Sequence, residues 1–150
     1  MIARESIDEV KSRMDIVDVI GEGGMGRVYR ALQTSRNRVV ALKVLTSAIS
    51  DQKALQRACN EAHVQQGLRH PNIVEFYEQV EWNGRPCLVM EYVEGTTIKQ
   101  EIEKGKIYDE KEAVEIILQI AQALAHASRR KLIHRDIKPA NIIITTEGVA

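Results

Sequence analysis

The sequence predicts an α+β chain, with an antiparallel sheet first and helices after it. Three observations carry that expectation. Short β-prone runs, bounded by turn residues and interrupted by one helical pattern, fill residues 15–93. Longer runs with apolar residues every three to four positions dominate residues 94–150. Two turns, one glycine-rich and one Asn83-Gly84, join neighbouring strands as hairpins. Residues 1–14 stand before this pattern as a charged leader.

Composition bounds the function. A length of 150 residues suits a core of ordinary size, and 44% hydrophobic with 28% charged residues reads as globular rather than disordered. Lys plus Arg and Asp plus Glu both number 21, so no bulk field favours nucleic acid or an acidic membrane. Aromatic residues, at 4%, are too sparse for a base-stacking platform. Met1–Asp15 lacks an apolar signal core, and no run is long and apolar enough to span a bilayer. Cys59 and Cys87 have no zinc spacing and read as two reduced thiols of a cytoplasmic protein.

Taken in order, Ile7, Val10 and Met14 have helical spacing, and a strand is expected from about Asp15. Gly21-Glu-Gly-Gly-Met-Gly-Arg-Val-Tyr29 places four glycines in six residues between strand-like runs. Without Cβ atoms, such a hairpin can lie over phosphates and offer them its N–H groups. A dinucleotide site would need a helix directly after the glycines; Val28, Tyr29 and Ala31 continue as strand instead. Val39–Leu45 is a β-prone run with Lys43 inside it, and a lysine on a buried face needs a partner or a phosphate. Leu55, Ala58 and Ala62 mark a helix over Asp51–Leu68, with Glu61 beside their stripe. Ile73–Val80 and Cys87–Val93 read as strands joined at Asn83-Gly84, and Thr97–Lys104 as a short helix.

Asp109 and Glu112 can form a capping box for a helix from Glu110 to about Arg130, whose stripe of Ala113, Ile116, Ile117, Ile120, Leu124 and Ala127 is core. Then comes His134-Arg-Asp-Ile-Lys-Pro-Ala-Asn141, flanked by the apolar runs Leu132-Ile133 and Ile142-Ile143-Ile144, which read as two short strands holding a loop. Asp136 could take a proton from a hydroxyl, Lys138 could meet a phosphate, and Asn141 could hold a metal ion through its carbonyl oxygen. That is a phosphoryl-transfer constellation.

The octapeptide closely resembles the catalytic loop of protein kinases, and Val40-Ala41-Leu42-Lys43 resembles their lysine strand. The order of glycine loop, strand lysine, helix glutamate, hinge and catalytic loop is similar to that of the eukaryotic-like serine/threonine kinases of bacteria over residues 15–150. The resemblance implies a protein-kinase-like fold. A small antiparallel β lobe with one long helix would occupy residues 15–93, and the first helices and catalytic loop of a helical lobe residues 94–150. It implies ATP and Mg²⁺ as cofactors and a protein substrate as partner. Gly21, Glu22, Gly23, Gly24 and Gly26 would cover the phosphates, which Lys43 would hold, oriented by Glu61. Val28, Ala41 and Ile143 would sandwich the adenine, with Met90 behind it. Glu91 and Val93 would offer main-chain hydrogen bonds, and Thr97 would lie near the ribose. Asp136 would act on a Ser or Thr hydroxyl, Lys138 would offset developing charge, and Asn141 would bind Mg²⁺.

Two departures matter. Gln65 stands where the family usually has an apolar residue. The family's second metal-binding acid, in Asp-Phe-Gly, does not occur, Asp136 being the last aspartate. The expectation is therefore a kinase sequence cut short and inactive as it stands, with an ATP-binding scaffold lacking phosphotransfer as the alternative. The helix at 110–130 would then need a missing continuation or a partner to cover it. Ser6–Glu22 also resembles the lead-in of bacterial DNA primases, without the zinc ligands that follow there. A nucleic-acid accessory role rests on that echo alone.

Overall fold

The computed structural model describes residues 14–23, 26–45, 52–82, 84–134 and 136–150, with backbone alone for Gln52, Ala54, Leu55 and Glu61. The helix expected at Ile7–Met14 lies outside the described residues except for Met14, which begins a strand. The chain divides into two compact units: residues up to Gly67 with Glu75–Tyr92, and Leu68–Val74 with Val93–Ala150.

Among the described residues the first unit is a five-stranded antiparallel sheet in the order β1-β2-β3-β5-β4 with one α-helix. Its strands are β1 (Met14–Gly23), β2 (Gly26–Gln33), β3 (Arg38–Leu45), β4 (Phe76–Trp82) and β5 (Arg85–Glu91), and its helix is α1 (Gln52–Gln65). Strand alternation divides the apolar residues between two faces. On one face Val40, Leu42 and Val44 of β3 pack with Cys87 and Val89 of β5, and Tyr29 and Trp82 close over them. Leu42 is fully buried, and burying a side chain of that size contributes about 1.5–3 kcal/mol. On the other face Leu45, Phe76 and Leu88 pack against Ala58 and Ala62, which are one turn apart on α1. Gln33 is buried and satisfied: its Nε2 donates to Glu78 Oε1 at 2.7 Å, and its Oε1 accepts from Arg38 Nε at 2.7 Å.

β4 begins at Phe76 rather than Ile73, because Ile73 is held back in a turn by its bridge to His70. β4 and β5 meet at the expected hairpin. Trp82 pairs with Arg85, and Gly84 has φ +71°, a left-handed conformation suited to glycine.

The second unit contains β6 (Gly95–Thr97), α2 (Ile98–Glu103), α3 (Glu110–Arg129) and β7 (Ile143–Thr145). Both helices start with reciprocal capping boxes, Thr97 with Gln100 and Asp109 with Glu112. Leu132-Ile133 is not a strand, contrary to expectation. Lys131 turns the chain with φ +59°, and β7 pairs instead with β6, far back in the sequence. Asn72 Nδ2 ties residues 68–74 to the rest of this unit, donating to Gln119 Oε1 at 2.9 Å and to the Ala150 carbonyl at 2.6 Å. On α3, Ala127 of the expected stripe is buried, whereas Ile117 and Leu124 of it are 64% and 37% exposed; Val114 and Leu118, outside it, are exposed too. The expected core stripe is thus partly open. Among the described residues no helix is long and apolar enough to cross a membrane.

Candidate active site

The predicted site residues fall into two groups, one in each unit. In the first unit the sheet register aligns them. Val28 is opposite Lys43, and Ala41 is opposite Met90. Cross-strand partners share a face, as do residues two apart on a strand. Val28, Ala41, Lys43 and Met90 therefore project from one face, which also carries Gly21 opposite Val28. This is the face that α1 covers further along. Glu61 lies on α1 between Ala58 and Ala62, but its side chain is outside the described residues, so its expected pairing with Lys43 is too.

The glycine hairpin closes with Gly23 opposite Gly26. Gly26 has φ 145°, which residues with a Cβ rarely adopt. Gly24 lies outside the described residues. The Glu22 carboxylate is engaged by Arg27 Nε at 2.8 Å, which leaves main-chain groups as this residue's contribution at the tip.

At the end of β5, Glu91 N–H donates to the Glu75 carbonyl at 2.8 Å, and Glu75 N–H donates to Glu91 Oε2 at 3.0 Å. The Glu91 carbonyl oxygen is the main-chain group that these two bonds leave unused. The next residue, Tyr92, carries a contact that the sequence did not announce: Arg30 Cζ lies 5.8 Å from its ring centroid. Arg30 is itself gripped by Asp18, from Nε to Oδ1 at 2.8 Å and from Nη2 to Oδ2 at 3.0 Å. The signal available was an arginine two residues after Val28 on the same strand face.

In the second unit, Thr97 is opposite Ile143, which brings two predicted nucleotide residues together. The Thr97 hydroxyl accepts from Gln100 N–H at 3.1 Å and so serves first as a helix cap. Val93, half-buried, begins the longer stretch of this unit just before β6.

The octapeptide gathers its own polar groups. Lys138 Nζ lies 3.0 Å from Asp136 Oδ2. Asn141 Nδ2 donates to Asp136 Oδ2 and to the Asp136 carbonyl, both at 2.9 Å. Asp136 N–H donates to His134 Nδ1 at 3.2 Å, and the His134 ring is exposed. A one-turn 3-10 helix at Pro139–Asn141 makes this closure possible. The Lys138 ammonium, then the Asn141 amide, hold the Asp136 carboxyl below the usual carboxylate range. The group is therefore ionised and acceptor-only at neutral pH. Because Asn141 uses its NH₂ toward Asp136, its Oδ1 is the atom free to meet a cation.

Among the described residues no three His, Cys, Asp or Glu side chains gather to hold a metal. Mg²⁺ takes few protein oxygens and keeps waters and phosphate oxygens. Asn141 Oδ1 can supply one oxygen of such a shell.

A family profile described as "Protein kinase domain" matches residues 14–150. The chain is 41% identical over 140 residues to the serine/threonine-protein kinase PrkC of Bacillus subtilis, covering 93% of this chain and 22% of PrkC. It is 39% identical over 138 residues to the probable serine/threonine-protein kinase PknB of Lactococcus lactis, covering 91% of this chain and 22% of that protein. Its fold superposes on the crystal structure of the Mycobacterium tuberculosis PknI kinase domain with a TM-score of 0.80 at 30% identity, over 90% of this chain and 55% of that one. The chain thus spans about a fifth of the length of these curated relatives. Proteins of this family generally use ATP and Mg²⁺. The sheet, the glycine hairpin, the catalytic loop and the profile match lead to one conclusion: this chain belongs to the protein kinase family.

Proposed function

We propose that the chain is the nucleotide-holding and catalytic-loop portion of a serine/threonine protein kinase, which moves the γ-phosphoryl group of ATP to a Ser or Thr hydroxyl of a protein. The observation that carries this reading is the closed Asp136–Lys138–Asn141 constellation, with its ionised acid beside a cation. In the proposed step the substrate oxygen forms a bond to phosphorus, the bond from phosphorus to the ADP oxygen breaks, and Asp136 takes the hydroxyl proton. Lys138 offsets charge on the transferred group. Asn141 Oδ1 would hold Mg²⁺, which when bound neutralises phosphate charge. Catalysis of this kind is positioning plus electrostatics.

The first unit supplies the nucleotide-binding face. Main-chain N–H groups at Gly21, Glu22, Gly23, Gly24 and Gly26 and the Lys43 ammonium would meet the phosphates, with Glu61 orienting Lys43. Val28 and Ala41 would contact the base from this face, with Met90 behind it. The Glu91 carbonyl and the Val93 N–H would read the base edge, and Thr97 would lie near the ribose. The Lys43 position on that face supports this assignment. A reducing, cytoplasmic setting is proposed on the two free thiols Cys59 and Cys87.

Two substitutions test the proposal. Lys43→Met should reduce the rise in melting temperature on adding ATP, and an unchanged rise would remove Lys43 from the site. The chain as it stands should transfer no measurable phosphate to a serine-containing basic protein, and Asp136→Asn should abolish any transfer that is seen. Transfer that survives intact would exclude Asp136 as the base.

A further inference from the structure

We propose that Arg30, fixed by Asp18, is a positioning residue for base recognition, acting through Tyr92. The inference rests on the reading of the sheet face as a nucleotide site. Arg30 is opposite Ala41, which is opposite Met90, so its side chain leaves the same face as the residues assigned to the base. Asp18 grips its guanidinium in a two-point fork at 2.8 and 3.0 Å, a geometry that sets the orientation of the plane as well as its place. The fork exists because Asp18 and Arg30 are cross-strand partners, which the irregularity between Ile16 and Asp18 brings about. The guanidinium then lies 5.8 Å from the Tyr92 ring centroid, within the range of a cation–π contact.

Tyr92 stands between Glu91 and Val93, the residues whose main-chain groups are assigned to the base edge. Glu91 is held on its other side by the reciprocal bonds with Glu75. The segment is therefore fixed at two points, by Glu75 next to β4 and by Arg30 on β2. Releasing the Arg30 contact would leave the Glu91–Val93 backbone free to shift. The Glu91 carbonyl accepts from the 6-amino group of adenine but faces an oxygen in guanine. Accurate placement of that carbonyl favours ATP over GTP, and loosening it narrows the preference.

The test compares ATP and GTP affinities of the wild-type chain, Arg30→Leu, Tyr92→Leu and the double variant, each first checked for an unchanged melting temperature without ligand. Arg30→Leu should weaken ATP by about two- to fivefold, the range of an exposed cation–π contact, with GTP unchanged. The double variant should be no weaker than the worse single one, and Asp18→Asn should give a smaller loss of the same kind. Equal weakening of both nucleotides, no change in either, or independent effects of Arg30 and Tyr92 would overturn the proposal. A melting temperature lowered by Arg30→Leu, with Asp18→Asn leaving the ATP-to-GTP ratio untouched, would overturn it as well. Failure of the wild-type chain to bind either nucleotide would instead remove the nucleotide site itself, and this inference with it.

Discussion

Asp136 shows how three side chains make one chemical group. Its carboxylate meets Lys138 at 3.0 Å and Asn141 at 2.9 Å, and both favour the ionised form. A folded value below the unfolded one means that these contacts favour the folded loop above the unfolded value. That contribution disappears as pH falls through the folded value. Asp136 should therefore titrate below an ordinary aspartate, read from its carboxyl carbon by NMR, and Lys138→Met should move the midpoint up. A midpoint that ignores the substitution would mean that Lys138 does not hold the acid. This group was legible in the sequence because its members lie within six residues of one another. The Asp18–Arg30–Tyr92 chain was not, because it depends on a strand irregularity and on a strand order that no local pattern states.

The elements divide in the same way. The capping box of α3 was readable because Asp109 and Glu112 signal a helix start by themselves. The Asn83-Gly84 turn similarly announced the β4–β5 hairpin. The β6–β7 pair was not readable: three residues on each side give no periodicity, and Gly95 and Ile144 are far apart in sequence. That pair has a strict requirement. A Cβ at position 95 would come within 2.3 Å of the Ile144 carbonyl oxygen, a backbone atom that cannot swing aside. Gly95→Ala should thus cost about 1–3 kcal/mol, the range of most damaging single changes, and lower the melting temperature. A neutral outcome would mean that β6 and β7 are not held this closely.

Across the whole molecule, the sheet assigns its two faces different work. One carries the tightly buried cluster around Leu42 and Val89. The other gives its apolar end to α1 and its remaining length to Gly21, Val28, Ala41 and Lys43. Sequence alternation located Lys43 on a strand, but only the register shows which residues share its face. Of the stripe expected on α3, Ile117 and Leu124 are exposed and Ala127 is buried. The structure of the chain with a nonhydrolysable ATP analogue tests the central claim most directly. The account predicts the base against Val28 and Ala41 and the phosphates at Lys43 under the glycine hairpin. A nucleotide bound to the opposite sheet face, or bound without touching Lys43, would contradict it.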